Sequence, residues 1–359
     1  MKLAILGTRG IPAHYGGFET FAEELSVRLV QHGVDVTVFC EAQSQVQADE
    51  YKGVKLRYVP IFQLGPLSTI IFDLVCLWRA RNSYNVVYML GYGASLFCFL
   101  PRLHGNAVWI NMDGVEWARS KWSWPAKLWL KIMESVAMWT PSKVIADADG
   151  ILEHLKSSYS HIPDASVISY GAEVIDIPPP VSFLDEWGLH ANSYLLVVCR
   201  LEPENHLLEI IEGYRASTVS MPLIILGNHL AGTPYVKSLV EYTSDNIRFI
   251  GTVFNQEKLL ALRYHSYAYL HGHSVGGTNP SLLEAMGCGN GIIAHDNRFN
   301  REVAGASALY FQDAASLSVI LNNLGDMADN GSTAQQVIRE RYTWDIIVSA
   351  YLALLAKAK

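Results

Sequence analysis

The chain has 359 residues, half of them apolar and 17% charged. That is more than a single core of ordinary size holds, and it fits two α/β domains. A formal net charge of −7 and a pI near 5.9 argue against nucleic acid as a main partner. The five cysteines (Cys40, Cys76, Cys98, Cys199, Cys288) have no paired metal spacing. They predict reduced core thiols of a cytoplasmic protein.

Residues 2–6 read as a buried strand directly after Met1, which predicts no signal peptide. A loop, Gly-Thr-Arg-Gly-Ile-Pro-Ala-His-Tyr-Gly-Gly, leads into a helix over 18–32 with Phe21, Leu25 and Leu29 on one face. Gly33 stops that helix, and residues 34–40 alternate as the next strand. Gly7-Thr8-Arg9-Gly10 lacks the G-x-G-x-x-G spacing of a dinucleotide turn, which excludes a dehydrogenase. Gly16 and Gly17, just before the helix, suit an anion, with Arg9 adding positive charge. The alternative is that the glycines only shape a turn and Arg9 is solvated.

Further strands are expected at 56–60, 86–90 and 107–112. The apolar run 86–100 falls short of the ~20 residues that span a bilayer, and Gly91 and Gly93 break it into a strand, a turn and a helix start. Asp113 ends the third of these strands, at the edge where open α/β sheets bind ligands. It reads either as a functional carboxylate or as half of an Asp-Gly turn, with Glu116 as a second candidate. Trp117, Trp122, Trp124, Trp129 and Trp139 then lie among Arg119, Lys121, Lys127 and Lys131, and from Pro125 onward Leu128, Ile132 and Val136 share a helical face. This is the pattern of a helix lying on an anionic membrane surface, and equally that of a core helix. Asp147 and Asp149 look like a metal-binding Asp-x-Asp, but they follow a strand and precede a helical run, so they are expected to cap that helix, and no metal site is expected. The Tyr170-Gly171-Ala172 turn and the prolines at 178–180 mark a domain boundary.

The second half opens with a strand over 194–199 and Arg200, followed by strands at 223–227 and 247–251, the last ending on Gly251. The most informative stretch comes next: a short strand at 268–270, a loop holding Gly272, Gly276, Gly277, Thr278 and Asn279, a helix from Pro280, a stop at Gly287 and Gly289, and a strand at 292–294. Small residues let the backbone approach an anion, and the positive helix end faces it. Asn279 is expected as N-cap and Pro280 as the first helical residue. Glu284 lies one turn in, where a ribose could offer two hydroxyls. An ordinary βαβ turn remains the alternative from the residues alone. Trp344, Ile347, Tyr351 and Leu354 predict a final amphipathic helix.

The stretch His273–Gly289, HSVGGTNPSLLEAMGCG, resembles the donor-binding motif of the retaining glycosyltransferase family with two Rossmann-like domains, glycosyltransferase group 1. In that motif a Glu, seven residues and a second Glu precede Ala-Met-x-x-Gly; Glu284 is the second, and Gly276 stands where the first would be. With GTRGIPAHYGGFET at the N-terminus, the wording is similar to a bacterial rhamnosyltransferase-like branch. The resemblance implies an α/β fold of GT-B type, two Rossmann-like domains facing across a cleft. It implies an acceptor domain over 1–175, a nucleotide-sugar donor domain over 176–341, and a helix over 342–359 crossing back to the first.

The resemblance also implies roles. Gly16 and Gly17 would face the donor, Asp113 would contact the transferred sugar, and Gly251 would line the base pocket. Arg200 matches the first of two diphosphate cations, while Asn205 stands in place of the second, a lysine; Glu284 would hold the ribose. Asp113, Arg200 and Glu284 are thus the catalytic candidates. Arg9, Gly16, Gly17, Arg200, Gly251, Gly276, Gly277, Thr278, Asn279 and Glu284 are the donor-binding ones. The implied reaction is retaining, metal-independent and without a cofactor beyond a dTDP- or UDP-linked donor. Rhamnose would pass to a polyprenyl-diphosphate-linked saccharide of O-antigen or capsule, at the inner face of the cytoplasmic membrane. Alternatives are a UDP-N-acetylhexosamine donor, a nucleotide-sugar epimerase, or a nucleotide-sugar binding protein without catalysis.

Overall fold

The computed structural model describes all residues except 14–15, 43–47, 62–63, 66, 113, 326 and 359. The chain divides into two compact units. The first comprises Met1–Ala118, Trp122–Tyr170 and Trp344–Lys359, and the second Arg119–Lys121 and Gly171–Thr343.

The first unit is built on strands β1 (Lys2–Leu6), β2 (Asp35–Glu41), β3 (Glu50–Tyr51), β4 (Val54–Val59), β5 (Val86–Leu90), β6 (Ala107–Met112), β7 (Lys143–Ala146) and β8 (Asp164–Val167). They pair in the order β3-β4-β2-β1-β5-β6-β7-β8, parallel throughout except for the β3–β4 pair. β5 reads VVYML and is buried along its whole length, the continuous apolar run expected of a strand covered on both faces. Helices α1 (Gly17–Gln31), α2 (Leu67–Ala80), α3 (Phe99–Leu103), α4 (Trp124–Val136) and α5 (Asp149–Ser158) connect the strands. The C-terminal helix, Trp344–Lys357, belongs to this unit and packs on α1. Its Tyr351 hydroxyl meets that of Tyr88 at 2.7 Å, and Asn111 Nδ2 donates to the Tyr88 hydroxyl at 2.9 Å, so this aromatic core satisfies its polar ends.

Two expectations change here. The N-cap of α5 is Ala148, with no side-chain capping bond; Asp147 is buried one position before it, and Asp149 is already the first helical residue. Neither aspartate caps the helix, because the cap position falls between them. On α4, Met133 and Glu134 turn inward, whereas Trp124, Leu128 and Ile132 are 75%, 46% and 47% exposed. Buried Glu134 accepts from Trp117 Nε1 at 2.9 Å, Tyr159 Oη at 2.8 Å and His154 Nε2 at 3.1 Å, so the inward face is fixed by a satisfied carboxylate.

The second unit holds β9 (Leu195–Val198), β10 (Leu223–Leu226), β11 (Ile247–Gly251), β12 (Ala268–His271), β13 (Gly291–His295) and β14 (Ala308–Phe311), with helices α6 (Leu207–Ala216), α7 (Pro234–Val240), α8 (Gln256–Tyr264), α9 (Pro280–Gly287), α10 (Arg298–Ala304), α11 (Ala314–Asn322) and α12 (Ala328–Val337). All its strand pairs are parallel, in the order β11-β10-β9-β12-β13-β14. The order reverses between β9 and β12. At such a switch point adjacent loops leave in opposite directions and open a crevice at the carboxyl ends of the strands. Here those two loops carry Arg200 and the glycines.

Candidate functional site

The glycine loop leaves β12 through Gly272, where a Cβ would lie 1.9 Å from the backbone oxygen of Asn205. Only glycine permits that approach. Gly276 has φ 127°, a conformation L side chains resist. Asn279 is the N-cap of α9: its side chain accepts from Ser281 N at 2.9 Å, and Pro280 follows it. Leu282 N and Leu283 N both close onto the Asn279 oxygen. The first-turn donors of the helix are therefore satisfied locally. An anion bound here would be held by N–H groups of the glycine loop, with the helix supplying its dipole.

Arg200 follows β9, and its side chain is half exposed, with Glu202 at 3.5 Å. Asn205 is turned inward at 5% exposure. Its Nδ2 donates to the Arg200 oxygen at 2.7 Å, and its Oδ1 lies 2.9 Å from His273 Nδ1. His206, next along, has φ 47°, lies 2.9 Å from Ser274 Oγ through Nε2 and 3.1 Å from Glu209 through Nδ1, and stacks on His295 at 4.0 Å. Ser274 N donates to the Glu204 oxygen at 3.0 Å. From the other side, Asn297 Nδ2 and Asn300 Nδ2 each donate to the His273 oxygen at 3.0 Å. The root of the glycine loop is thus clamped on both flanks by amide, imidazole and backbone groups. Burial pushes the His271 imidazole down to about 3, with His295 adding to it. Burial, then His271, Arg119 and Arg200, hold His273 well below its usual value. Both rings are neutral at physiological pH.

Glu284 Oε2 pairs with Arg263 Nη2 at 2.5 Å; the Glu284 side chain is 36% exposed and that of Arg263 only 8%. Arg263 thus engages one of the two Glu284 oxygens. Below it, Tyr269 Oη and Ser281 Oγ lie 2.8 Å apart, and Ser281 Oγ donates to the Val198 oxygen at 3.1 Å, tying α9 to β9 and β12. The second unit therefore brings Arg200, Gly276, Gly277, Thr278, Asn279 and Glu284 to the carboxyl ends of adjacent strands. Gly251 ends the edge strand β11, beside His229.

In the first unit, Gly16 is the N-cap of α1 with φ 111° and no side-chain capping bond, and Gly17 opens the helix. Arg9 is exposed, and its N–H donates to Glu19 Oε1 at 3.2 Å. Glu116 Oε1 accepts from Trp122 Nε1 at 3.0 Å. Asp113 lies outside the described residues. Sequence reading did not bring His206, His273 and Arg263 beside the candidate residues, and it read Arg119 only within the tryptophan-rich segment. The only signals were a histidine in a loop otherwise read for its arginine, and a charged residue beside the buried Ala261 and Leu262 of α8.

Residues 1–173 match a family described as a domain of unknown function, DUF1972. No curated protein matches the chain. Solved structures do. Sucrose-phosphate synthase from Thermosynechococcus elongatus is 16% identical with a TM-score of 0.81, covering 99% of this chain and 98% of that one. HepE of Anabaena, in complex with UDP and glucose, is 16% identical with a TM-score of 0.80, covering 99% of this chain and all of that one. A glycosyltransferase from Rickettsia africae is 12% identical with a TM-score of 0.75, covering 99% and 98%. At such identities the likeness is one of fold. The chain has the GT-B architecture of two Rossmann-like domains.

Proposed function

We propose that the protein is a glycosyltransferase of the group 1 type, which moves a sugar from a nucleoside diphosphate donor. The observation that carries this reading is the meeting of Arg200, the glycine loop and Glu284 at the β9–β12 switch point of one sheet. A diphosphate leaving group develops negative charge as the glycosidic bond breaks. Loop N–H groups and the Arg200 guanidinium stabilise that charge without a metal ion. Glu284, through its Oε1, takes the ribose hydroxyls, while Arg263 fixes its Oε2. Asp113 acts on the sugar side, and the reaction retains the anomeric configuration. HepE, which shares the fold, was solved with UDP and glucose, which supports this class of donor.

The donor is dTDP-rhamnose, with a UDP-N-acetylhexosamine as second choice. The place of the motif's first carboxylate is held by Gly276, whose φ of 127° a Glu would resist. The pocket therefore lacks one polar partner for sugar hydroxyls, and discriminates less against a deoxysugar. The acceptor is a polyprenyl-diphosphate-linked saccharide, reached from an anionic membrane surface on which the protein lies peripherally. α4 supports this reading with Trp124, Leu128 and Ile132 exposed and Lys127 and Lys131 beside them. No helix among the described residues is long and apolar enough to cross a membrane.

The test is transfer of radiolabelled sugar from a donor panel to a synthetic lipid-diphosphate saccharide, in excess EDTA. Incorporation from dTDP-rhamnose is expected. Incorporation only from a UDP-hexose overturns the donor, transfer only to soluble acceptors overturns the lipid, and donor turnover without acceptor marks an epimerase. Loss of activity in EDTA with recovery on magnesium or manganese overturns the metal-independent mechanism. Flotation with anionic liposomes checks the surface: binding by the parent and none by Lys127→Glu/Lys131→Glu is expected.

A further inference from the structure

We propose that Arg119 is the second cation of the diphosphate site, in the office that a lysine at position 205 would otherwise fill. The inference deepens the donor-site reading above and rests on it. It begins with Asn205. Both polar ends of that side chain are engaged, Nδ2 on the Arg200 oxygen and Oδ1 on His273, and the residue is 5% exposed. It braces the site and does not reach a ligand. A diphosphate needs more positive charge than Arg200 alone supplies.

The chain provides it from far away in sequence. Residues Arg119–Lys121 belong to the second unit, although the residues on either side of them belong to the first. The tripeptide is fastened there by Ser120 Oγ, which donates to Glu204 Oε2 at 2.7 Å. Glu204 stands next to Asn205, and its backbone oxygen accepts from Ser274 N, inside the glycine loop, at 3.0 Å. Arg119 is 8% exposed and its Nε is buried, so the guanidinium is held out of bulk solvent. Its charge is felt at two places. Burial opposes ionisation of Glu204, yet the Ser120 hydroxyl, the residue's own backbone and Arg119 together keep its carboxyl below the usual range. His273, the second residue of the glycine loop, senses both Arg119 and Arg200. Two arginines therefore bear on one loop, beside a His273 ring kept neutral by burial. The ligand suited to that field is a dianionic or trianionic phosphate chain, and a planar guanidinium can grip two of its oxygens at once.

The alternative role for Arg119 is to neutralise Glu204 and do nothing to the ligand. Calorimetry with UDP, dTDP, UMP and uridine separates the two. Arg119→Gln is expected to weaken the diphosphates tenfold or more, with UMP and uridine within about twofold of the parent, because only the β-phosphate loses a partner. Arg119→Lys, which keeps charge and loses the fork, should fall between, and it serves as the informative variant if Arg119→Gln does not fold. Equal loss for UDP and UMP, or no loss, overturns the proposal. So does recovery of the parent's UDP affinity in Arg119→Gln/Glu204→Gln, since that result assigns Arg119 to Glu204 alone. A parent that binds neither UDP nor dTDP overturns the donor-site reading and this inference with it; a parent that binds while Arg119→Gln binds equally well overturns the inference only.

Discussion

Two stretches of this chain share one plan, a strand followed at once by a glycine, a glycine-rich loop and a helix, and they are held in place by different chemistry. Both begin with close backbone contact: a Cβ on Gly7 would lie 2.1 Å from the Leu90 oxygen, and one on Gly272 1.9 Å from the Asn205 oxygen. The loop after β1 is then braced by carboxylates, Glu19 accepting from Arg9 N and Glu23 from Ala13 N at 2.7 Å. The loop after β12 is braced by amides, imidazoles and a serine hydroxyl. A carboxylate on a backbone N–H makes a strong hydrogen bond, but it also puts a negative charge where a phosphate would have to sit. The first loop already holds anions belonging to the chain itself. The second takes no carboxylate onto its own N–H groups in the bonds described, since Ser274 N closes on the Glu204 backbone oxygen. A glycine-rich turn before a helix is thus an incomplete signal, and the charge of the groups that brace it decides what it can bind.

Gly272→Ala should break the second arrangement most severely, because the added carbon meets a backbone oxygen with nowhere to go. We expect a loss of roughly 3 kcal/mol or more in chemical unfolding. At Gly232, with φ 71° and open space around it, the same change should cost only about 1 kcal/mol. Equal losses would show that the close approach at Gly272 is relaxed. Asn205→Lys restores a cation in sequence while removing both buried hydrogen bonds. Stability should fall by about 1–3 kcal/mol, and nucleoside diphosphate affinity should drop. A gain in affinity would mean that charge at this position matters more than the neutral brace.

Glu284→Ala should weaken nucleoside diphosphate binding tenfold or more, the worth of a charge-assisted hydrogen bond at roughly 1.5–3 kcal/mol. It should also lower stability by about 1–2 kcal/mol, since Arg263 loses its carboxylate. Unchanged affinity by calorimetry would remove Glu284 from the ribose.

The gentlest probe is pH, and it sets the two units against each other. Burial and the nearby Glu41 push buried Asp73 of the first unit up to about 8 from an ordinary 3.8. Between those values the folded unit keeps a proton that the unfolded chain releases, so its stability falls as pH rises, by up to about 1.4 kcal/mol per pH unit. His271 of the second unit goes the other way, from 6.5 to about 3. Its unfolded form binds the proton first, and stability falls as pH drops below 6.5. Hydrogen exchange at pH 5 and pH 7.5 should show β1 and β5 amides better protected at the lower pH and β9 and β12 amides better protected at the higher. Asp73→Asn and His271→Gln should each flatten one trend and leave the other.

Much of the fold was legible because buried parallel strands and amphipathic helices write themselves in local pattern. The strand at 86–90 and the start and stop of α9 fall where apolar runs, Asn279-Pro280 and Gly287 put them. Strand β8 was not legible, since Asp164-Ala-Ser-Val carries no apolar run and is defined by pairing with β7. The candidate site was legible as Arg200, a glycine loop and Glu284 at strand ends, but not as a braced arrangement. Asn205 and His206 look like loop residues until Ser274 and His273, nearly seventy positions later, are brought beside them. Arg119 read only as one cation of the tryptophan-rich segment for the same reason, because membership of a unit is decided by contacts that no local window contains.

The hydroxyl pair of Tyr88 and Tyr351 joins residues 263 positions apart. Between them the chain makes the whole second unit, from Gly171 to Thr343. On the ribosome, the first unit is therefore synthesised first and completed last: its core waits with a gap for Trp344–Lys357, while the second unit has all but Arg119–Lys121 of its residues in one unbroken run. The early-made sheet depends for closure on a stretch made after the second unit, and a nascent chain halted before Trp344 would carry a finished second unit on an unfinished first.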